Sequence, residues 1–355
     1  GFMLPTDFDV SLEARRSAME SLRIPIAPTG AWGGLVDYGI TQVEDIRFRF
    51  EIYAEEASLM AQNLPMNEVR VQTDAQVGAG YEPMEREPFE PVTLGDLDGL
   101  VIQQVGPVAI ADGRLQVPLK VENHSQHFDR ISIPDSAVNG IMGAFSLTQE
   151  DVMPGTVLYT AAYIPLAGAE LPPELEEYRY LFEAYDFLEK MGVEQVRDIS
   201  LRLQADAKAR AGSKGSLNIA RRTDYVTLEV PGMAGYEQPL DTQGTVLLNQ
   251  GGLEIVRLDS DPAGKTLYLH NRTNQTLNVY AFGHIWVDDA AYSANMPISL
   301  RLAPGASAYH QLFSYLPGIE PTGDTLSFLL SVVDADENRL LFRTERITLD
   351  LRETQ

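Results

Sequence analysis

Three stretches of the chain repeat one pattern: a glycine, then Val or Ile, an aspartate six positions after the glycine, and an alternating apolar run. They are Gly39 to Phe50 (GITQVEDIRFRF), Gly192 to Leu203 (GVEQVRDISLRL) and the looser Gly318 to Leu330 (GIEPTGDTLSFLL). Ile46, Phe48 and Phe50 alternate with Arg47, Arg49 and Glu51, the period of a half-buried strand. A chain that uses one strand signal three times is constrained to repeat one β-rich unit.

Other landmarks keep the same period. The tetrapeptide AGYE occurs at Ala79 and again at Ala234, 155 residues on, while the first two organising stretches lie 153 apart. Gly99-Leu100 answers Gly252-Leu253, and Leu119–Ser125 (LKVENHS) answers Leu267–Thr273 (LYLHNRT), each a strand running into an Asn-containing turn. Ala137–Met142 (AVNGIM) corresponds roughly to Gly283–Asp289 (GHIWVDD), and the turn Pro154-Gly155 to Pro304-Gly305. Arg222–Val230 (RTDYVTLEV) and Arg343–Leu351 (RTERITLDL) close the second and third copies. These matches divide the chain into copies at 1–76, 77–232 and 233–355, with a Gly-, Pro- and Glu-rich linker over 76–92.

The first copy matches only from mid-pattern. Gly1-Phe2-Met3 aligns with Gly140-Ile141-Met142, and Asp9-Val10 with Asp151-Val152. Its leading strands lie upstream of a trimmed start, or a neighbour supplies them, or the half-copy packs directly on copy two. An uncovered half exposes edges and apolar faces, which favours the first. Strands are expected near Asp7–Leu12, Ala18–Ile26, Ile46–Tyr53 and Glu68–Thr73, around a glycine-rich loop at Thr29–Gly34. In the third copy Leu326, Phe328 and Leu330 alternate out of phase with Ile199, Leu201 and Leu203, which predicts an added residue or bulge between Asp324 and Leu326.

One helix is predicted, over about 172–191, as an insertion in copy two. Pro172-Pro173 opens it, Glu174, Glu176 and Glu177 fill its first turn, and Lys190 and Gly192 close it. Leu175, Tyr178, Leu181, Phe182, Tyr185 and Leu188 form its apolar stripe, expected to cover one end of the core or to make a ledge for a partner.

The pattern of strand, ENxS turn, VNG, Pro-Gly turn and G[IV]xxxxD strand resembles the immunoglobulin-like modules of cell-envelope lipoproteins and membrane-anchored proteins of Gram-positive, clostridia-type bacteria. The residues that carry it are Val121-Glu122-Asn123, Val138-Asn139-Gly140, Pro154-Gly155 and Gly192–Leu203. The resemblance implies an all-β fold, tandem immunoglobulin-like β-sandwiches, in an extracytoplasmic protein anchored to the cell envelope through residues upstream of this chain. It carries no catalytic residue with it. The zinc ribbon, membrane helix and lipobox cysteine usual at the N-terminus of that family are not in this sequence.

Charge and composition narrow the functions further. Acidic residues outnumber basic ones 51 to 27, so phosphate backbones and anionic headgroups are repelled and no nucleic-acid partner is expected. With no cysteine there is no disulfide, thiolate chemistry or Cys-based zinc site. The longest uncharged run, Val152–Ala169, is broken by Pro154, Gly155, Pro165 and Gly168, so no membrane-spanning segment is expected in this chain.

Candidate chemistry is sparse. His124 and His127 flank a turn beside Glu122 and Asp129, a set that could hold a divalent metal but also the ordinary polar content of a turn. Asp334, Asp336 and Asn338 have the alternate-oxygen spacing of calcium loops without the following glycine or distal glutamate. Phosphate-cradling glycine motifs and a G-x-S-x-G elbow are missing. Of two tryptophans, Trp32 in its loop could stack on a sugar, while Trp286 is expected in the core. N-x-[ST] occurs at Asn123, Asn271 and Asn274, as turns or, in a eukaryotic secreted protein, glycan acceptors. No catalytic, cofactor-binding or metal-ligating residue is assigned. The expected protein is a non-enzymatic spacer, adhesion or protein-interaction module whose partner is a protein or glycan at the cell surface. The alternatives are a carbohydrate-binding surface protein and, behind it, a hydrolase with an unrecognised carboxylate pair.

Overall fold

A computed structural model describes residues 2–3, 40, 42–49, 68–76, 88–111, 114–143, 145–147, 150–165, 192–208, 216–261, 266–288, 290–292, 299–312 and 324–350. All regular structure among these is β-strand. The predicted helix at 172–191, residues 77–87 of the linker expected over 76–92, the loop holding Trp32 and the strands expected at 7–12 and 18–26 lie outside the described residues. Among the described residues, no helix is long and apolar enough to cross a membrane. The chain forms two compact units. The first takes Gly1–Ile133, Ser146–Arg179 and Leu203–Asp224, and the second takes Pro134–Phe145, Tyr180–Arg202 and Tyr225–Gln355.

In the second unit one sheet runs in the order Gly244–Gln250, Leu253–Leu258, Thr266–Asn271, Ser307–Gln311, with neighbours antiparallel. Ile141–Met142 joins its far edge in parallel, Ile141 opposite Ser307. The facing layer is built from strands that break and resume. Ser299–Leu302, Leu277–Ala281, Leu330–Asp334 and Arg339–Arg343 form one part. Ala290–Tyr292, Ile285–Val287, Thr325–Phe328 and Ile347–Asp350 form the other. Alternation aims Leu253, Ile255, Leu267 and Leu269 of the first sheet and Leu277, Val279, Leu326, Phe328, Leu330 and Val332 of the second layer into one core, all with no exposed surface. Each such side chain contributes about 1.5–3 kcal/mol by leaving water.

The first unit repeats the first sheet strand for strand. Val92–Asp96, Leu100–Gln104, Arg114–Asn123 and Val157–Pro165 pair antiparallel in that order, and Phe2–Met3 lies parallel on the far edge, Phe2 opposite Val157. The opening hairpins bulge at matching places, between Thr93 and Gly95 and between Val246 and Leu248. From copy one, Gln42–Arg49 pairs with Glu68–Gln76, and the Arg70 guanidinium pairs with Asp45. That strand starts at Gln42, ahead of the expected Ile46, because Gln42 and Val43 already pair with Gln76 and Ala75.

The backbone ties also repeat. Asn123 donates its N–H to Thr156 (3.0 Å) and Asn271 donates to Ala306 (2.9 Å). His124 donates to Gly99 (2.7 Å) and Arg272 to Gly252 (2.8 Å), and both glycines take positive φ, 87° and 82°. Thr223 exchanges two hydrogen bonds with the Leu203 backbone, its hydroxyl accepting at 3.0 Å, and Thr344 does the same with Leu330 at 2.9 Å. The one-residue slip resolves differently from the expected bulge. Ile199 and Leu326 face Leu228 and Leu349, and Asp198 and Thr325 face Glu229 and Asp350, with no irregularity between Asp324 and Leu326. Thr325, rather than Asp324, holds the place of Asp198, so the additional residue lies before the strand.

Candidate functional site

The densest polar cluster among the described residues sits in the second unit around Asp135, on the strand Phe128–Val138. The Asp135 carboxylate is fully buried. The Arg301 guanidinium pairs with one of its oxygens, the Tyr225 hydroxyl donates to the other at 3.1 Å, and Arg202 stands 3.9 Å away. Arg202 also donates to both oxygens of Asp336, at 2.7 and 2.9 Å, and Arg301 reaches Asp336 at 3.5 Å. Tyr225 and Thr276 share a hydroxyl–hydroxyl bond of 2.9 Å, and Arg202 lies over the Tyr225 ring, 5.3 Å from its centroid.

Two carboxylates and two guanidiniums make a neutral square. Local patterning explains each placement. Arg202 projects between the core residues Leu201 and Leu203, on the opposite face of its strand, and Arg301 sits beside the buried Leu302. Burial pushes the Asp135 carboxyl above its ordinary range, against the pull of Arg301, the Tyr225 bond and Arg202. Burial likewise pushes the Tyr225 phenol up to about 12. A guanidinium does not exchange its proton near neutrality, and a phenol held that high stays protonated. These three groups therefore hold charge and hydrogen bonds in place around the Asp135 carboxyl and are themselves no acid or base poised near pH 7.

A second arrangement has the outline of a nucleophile and base. Ser307 shares hydrogen bonds with His270 Nδ1 (3.0 Å) and the Tyr268 hydroxyl (2.9 Å). Burial lowers the His270 pKa, which keeps the ring neutral. Ser307 is only 3% exposed, and the nearest acid in register, Glu254, accepts from Arg272 at 2.6 Å. Rows of cross-strand partners explain the geometry: His270 and Ser307 face each other in register, as do Tyr268 and Tyr309. The stacked Tyr268 and His270 rings continue that ladder.

The residues singled out in sequence are committed elsewhere. Asp129 is buried, paired with Arg221 and accepting from the Ser125 hydroxyl at 3.1 Å. Glu122 takes the Lys120 ammonium, which holds its carboxyl below the usual range, and meets His124 at 3.0 Å. His127 is exposed and its carbonyl accepts from the Asn123 amide. Asp334 is buried and its Oδ1 accepts the N–H groups of Asp336 and Glu337, both at 3.0 Å, while Asn338 takes a left-handed φ of 50°. That is a side-chain-stapled turn whose next acid, Asp336, faces arginines. Trp286 is not in the core: its neighbours Ile285 and Val287 point inward, so its ring lies on the outer face, covered by the Arg346 guanidinium 4.5 Å from the centroid. Among the described residues no group of three or more acids and histidines is placed to hold a metal.

Pattern reading picked out only Asp336 of the Asp135 cluster, as part of a calcium-like spacing, and missed the rest. Its members are spread from residue 135 to 336, and no short motif joins them. No protein-family profile matches the chain, and no curated protein matches its sequence.

Proposed function

We propose that the chain is a non-enzymatic array of immunoglobulin-like β-sandwich copies, divided at 1–76, 77–232 and 233–355, that serves as an extracytoplasmic spacer or adhesion and interaction module. Strand order supports the sandwich assignment. In the third copy Leu253–Leu258, Thr266–Asn271 and Ser307–Gln311 follow the A-B-E order of one immunoglobulin sheet, and the interrupted strands opposite follow C′-C-F-G. The location at the cell envelope rests on the sequence resemblance.

The observation that carries the spacer reading is how the stretch between copies two and three is fastened. Residues 230–243 have no regular structure yet are tied along their length. Asn139 donates to the Gln195 carbonyl (2.7 Å) and to Gln238 (3.0 Å), and Gln238 donates to the Gly192 carbonyl (3.0 Å). Arg197 donates to the Tyr236 carbonyl and the Tyr309 hydroxyl to the Asp241 carbonyl, each at 3.1 Å. A linker held at this many points transmits orientation and load, as a spacer requires.

Single-molecule stretching tests this reading. Discrete release steps are expected, each lengthening the chain by one copy's strands at ~3.3–3.6 Å per residue. Featureless extension at low force would sink it.

A further inference from the structure

We propose that the hairpin tip Gly140-Ile141-Met142 is a plug by which one copy completes the sheet of the next, and that the third copy carries a blunted version of it. The tip closes the hairpin in which Val138 faces Ile141 and Ala137 faces Met142. Asn139 and Gly140 turn the chain in left-handed conformations, with φ of 52° and 79°. The tip then leaves its own hairpin for the sheet of copy three. The Gly140 carbonyl accepts the Ser307 N–H at 2.9 Å, and Ile141 runs parallel to Ser307. Ile141 is fully buried, Met142 packs on the copy-three core, and the Ala303 N–H reaches the Met142 sulfur at 3.4 Å.

The same joint occurs a second time in the chain. Phe2 and Met3 lie parallel to Val157 and Leu158 on the corresponding edge strand. Ser307 follows Val157 by 150 residues, the spacing of the two Pro-Gly turns. Both tips read Gly, a large apolar residue, Met. Two occurrences of one parallel pairing, made by one sequence pattern on one edge, mark a device for coupling copies.

The equivalent tip of copy three keeps the hairpin and loses the plug. Val287 faces Ala290 and Trp286 faces Ala291, matching the copy-two pairs. Asp288 keeps the left-handed turn of Asn139, at φ 52°. Ala290 and Ala291 stand where Ile141 and Met142 stand in copy two, and both are exposed. Two methyl groups beside two acids offer a next sheet edge neither apolar volume nor a neutral approach. The partner that fits the intact plug is the edge strand after the Pro-Gly turn of a following copy. Blunting it takes from copy three the apolar tip that this joint uses.

This inference uses the repeat but not the spacer role, so its test is separate from stretching. Native-state hydrogen exchange on the whole chain compares wild type with Ile141→Ala/Met142→Ala, which gives copy two the paired alanines of the copy-three tip. The Ser307 amide and those of Thr266–Asn271 are expected to exchange roughly tenfold faster or more, while those of Arg114–Asn123 keep their rates. If the double variant does not fold, Met142→Ala alone is expected to produce the same pattern at smaller size. Unchanged exchange at Ser307 overturns the proposal. So does faster exchange in copy two and copy three alike, because the tip would then belong to the general core.

Discussion

At the scale of single residues, two asparagines fasten equivalent turns to the strands beside them. Asn123 and Asn271 are 1% and 0% exposed, and each spends its amide on the same task. Asn271 donates to the Gln275 carbonyl (2.8 Å) and towards those of Leu302 (3.2 Å) and Ala303 (2.9 Å), and its Oδ1 accepts the Thr273 N–H (2.9 Å). Asn123 does likewise with His127, Val152 and Ser125. Asn271→Ala strands several buried carbonyls, and a loss of about 3 kcal/mol is expected in urea unfolding. Asn271→Asp is expected to cost more, since a carboxylate would face the same carbonyl oxygens. A midpoint shift worth less than about 1 kcal/mol would contradict this account. Asn123 and Asn271 were legible only as turn residues and sequons. Their burial was not legible, because three of the five fixing carbonyls come from 29 to 32 residues downstream. With both amides enclosed, neither side chain is open to modification in the folded chain.

At the scale of elements, strands and turns were the legible part, because period-two alternation and Pro-Gly or Asn-Gly turns are local signals. Ile199, Leu201, Leu203, Ala205 and Ala207 are all buried, as their alternation requires. The misplaced bulge shows the limit of such signals. Asp324 resembles Asp198 in sequence, but register is set by cross-strand partners, and these give the place to Thr325. The Asp135 cluster was illegible for a related reason: its strands come together only after folding. Its consequence for pH follows from the sign of one shift. Burial raises the folded Asp135 carboxyl above its ordinary range near 3.8, so the unfolded chain ionises first as pH rises. This group's contribution is therefore most favourable below about 3.8 and declines as pH climbs from there through the raised folded value. Asp135→Asn keeps the shape and removes the titration. The stability of wild type relative to this variant is expected to improve as the solution is acidified through that window, measured by denaturant unfolding at each pH. A difference that is flat, or that falls with acid, would show that the guanidiniums of Arg301 and Arg202 outweigh burial.

At the scale of the whole molecule, a net charge of −24 acts on every part at once. Self-repulsion among acids weakens the folded state, and added salt screens it within a Debye length of about 8–10 Å near physiological strength. Enclosed pairs such as Asp129 with Arg221 and Asp135 with Arg301 are screened far less, so salt removes repulsion faster than attraction. Sodium chloride is therefore expected to raise the melting temperature, by roughly 2–4 °C for each kcal/mol of repulsion relieved. Calcium makes the discriminating comparison, because Asp334, Asp336 and Asn338 have a calcium-like spacing. Asp334 there already accepts two backbone N–H groups and has Arg339 at 3.8 Å, while Asp336 holds Arg202. A cation entering that turn would have to displace a guanidinium and break the bonds that shape it. At matched ionic strength, millimolar calcium is expected to shift melting no further than magnesium or sodium does. A calcium-specific rise abolished by Asp334→Asn would reverse the assignment of that turn, and with it the conclusion that its acids serve the fold alone.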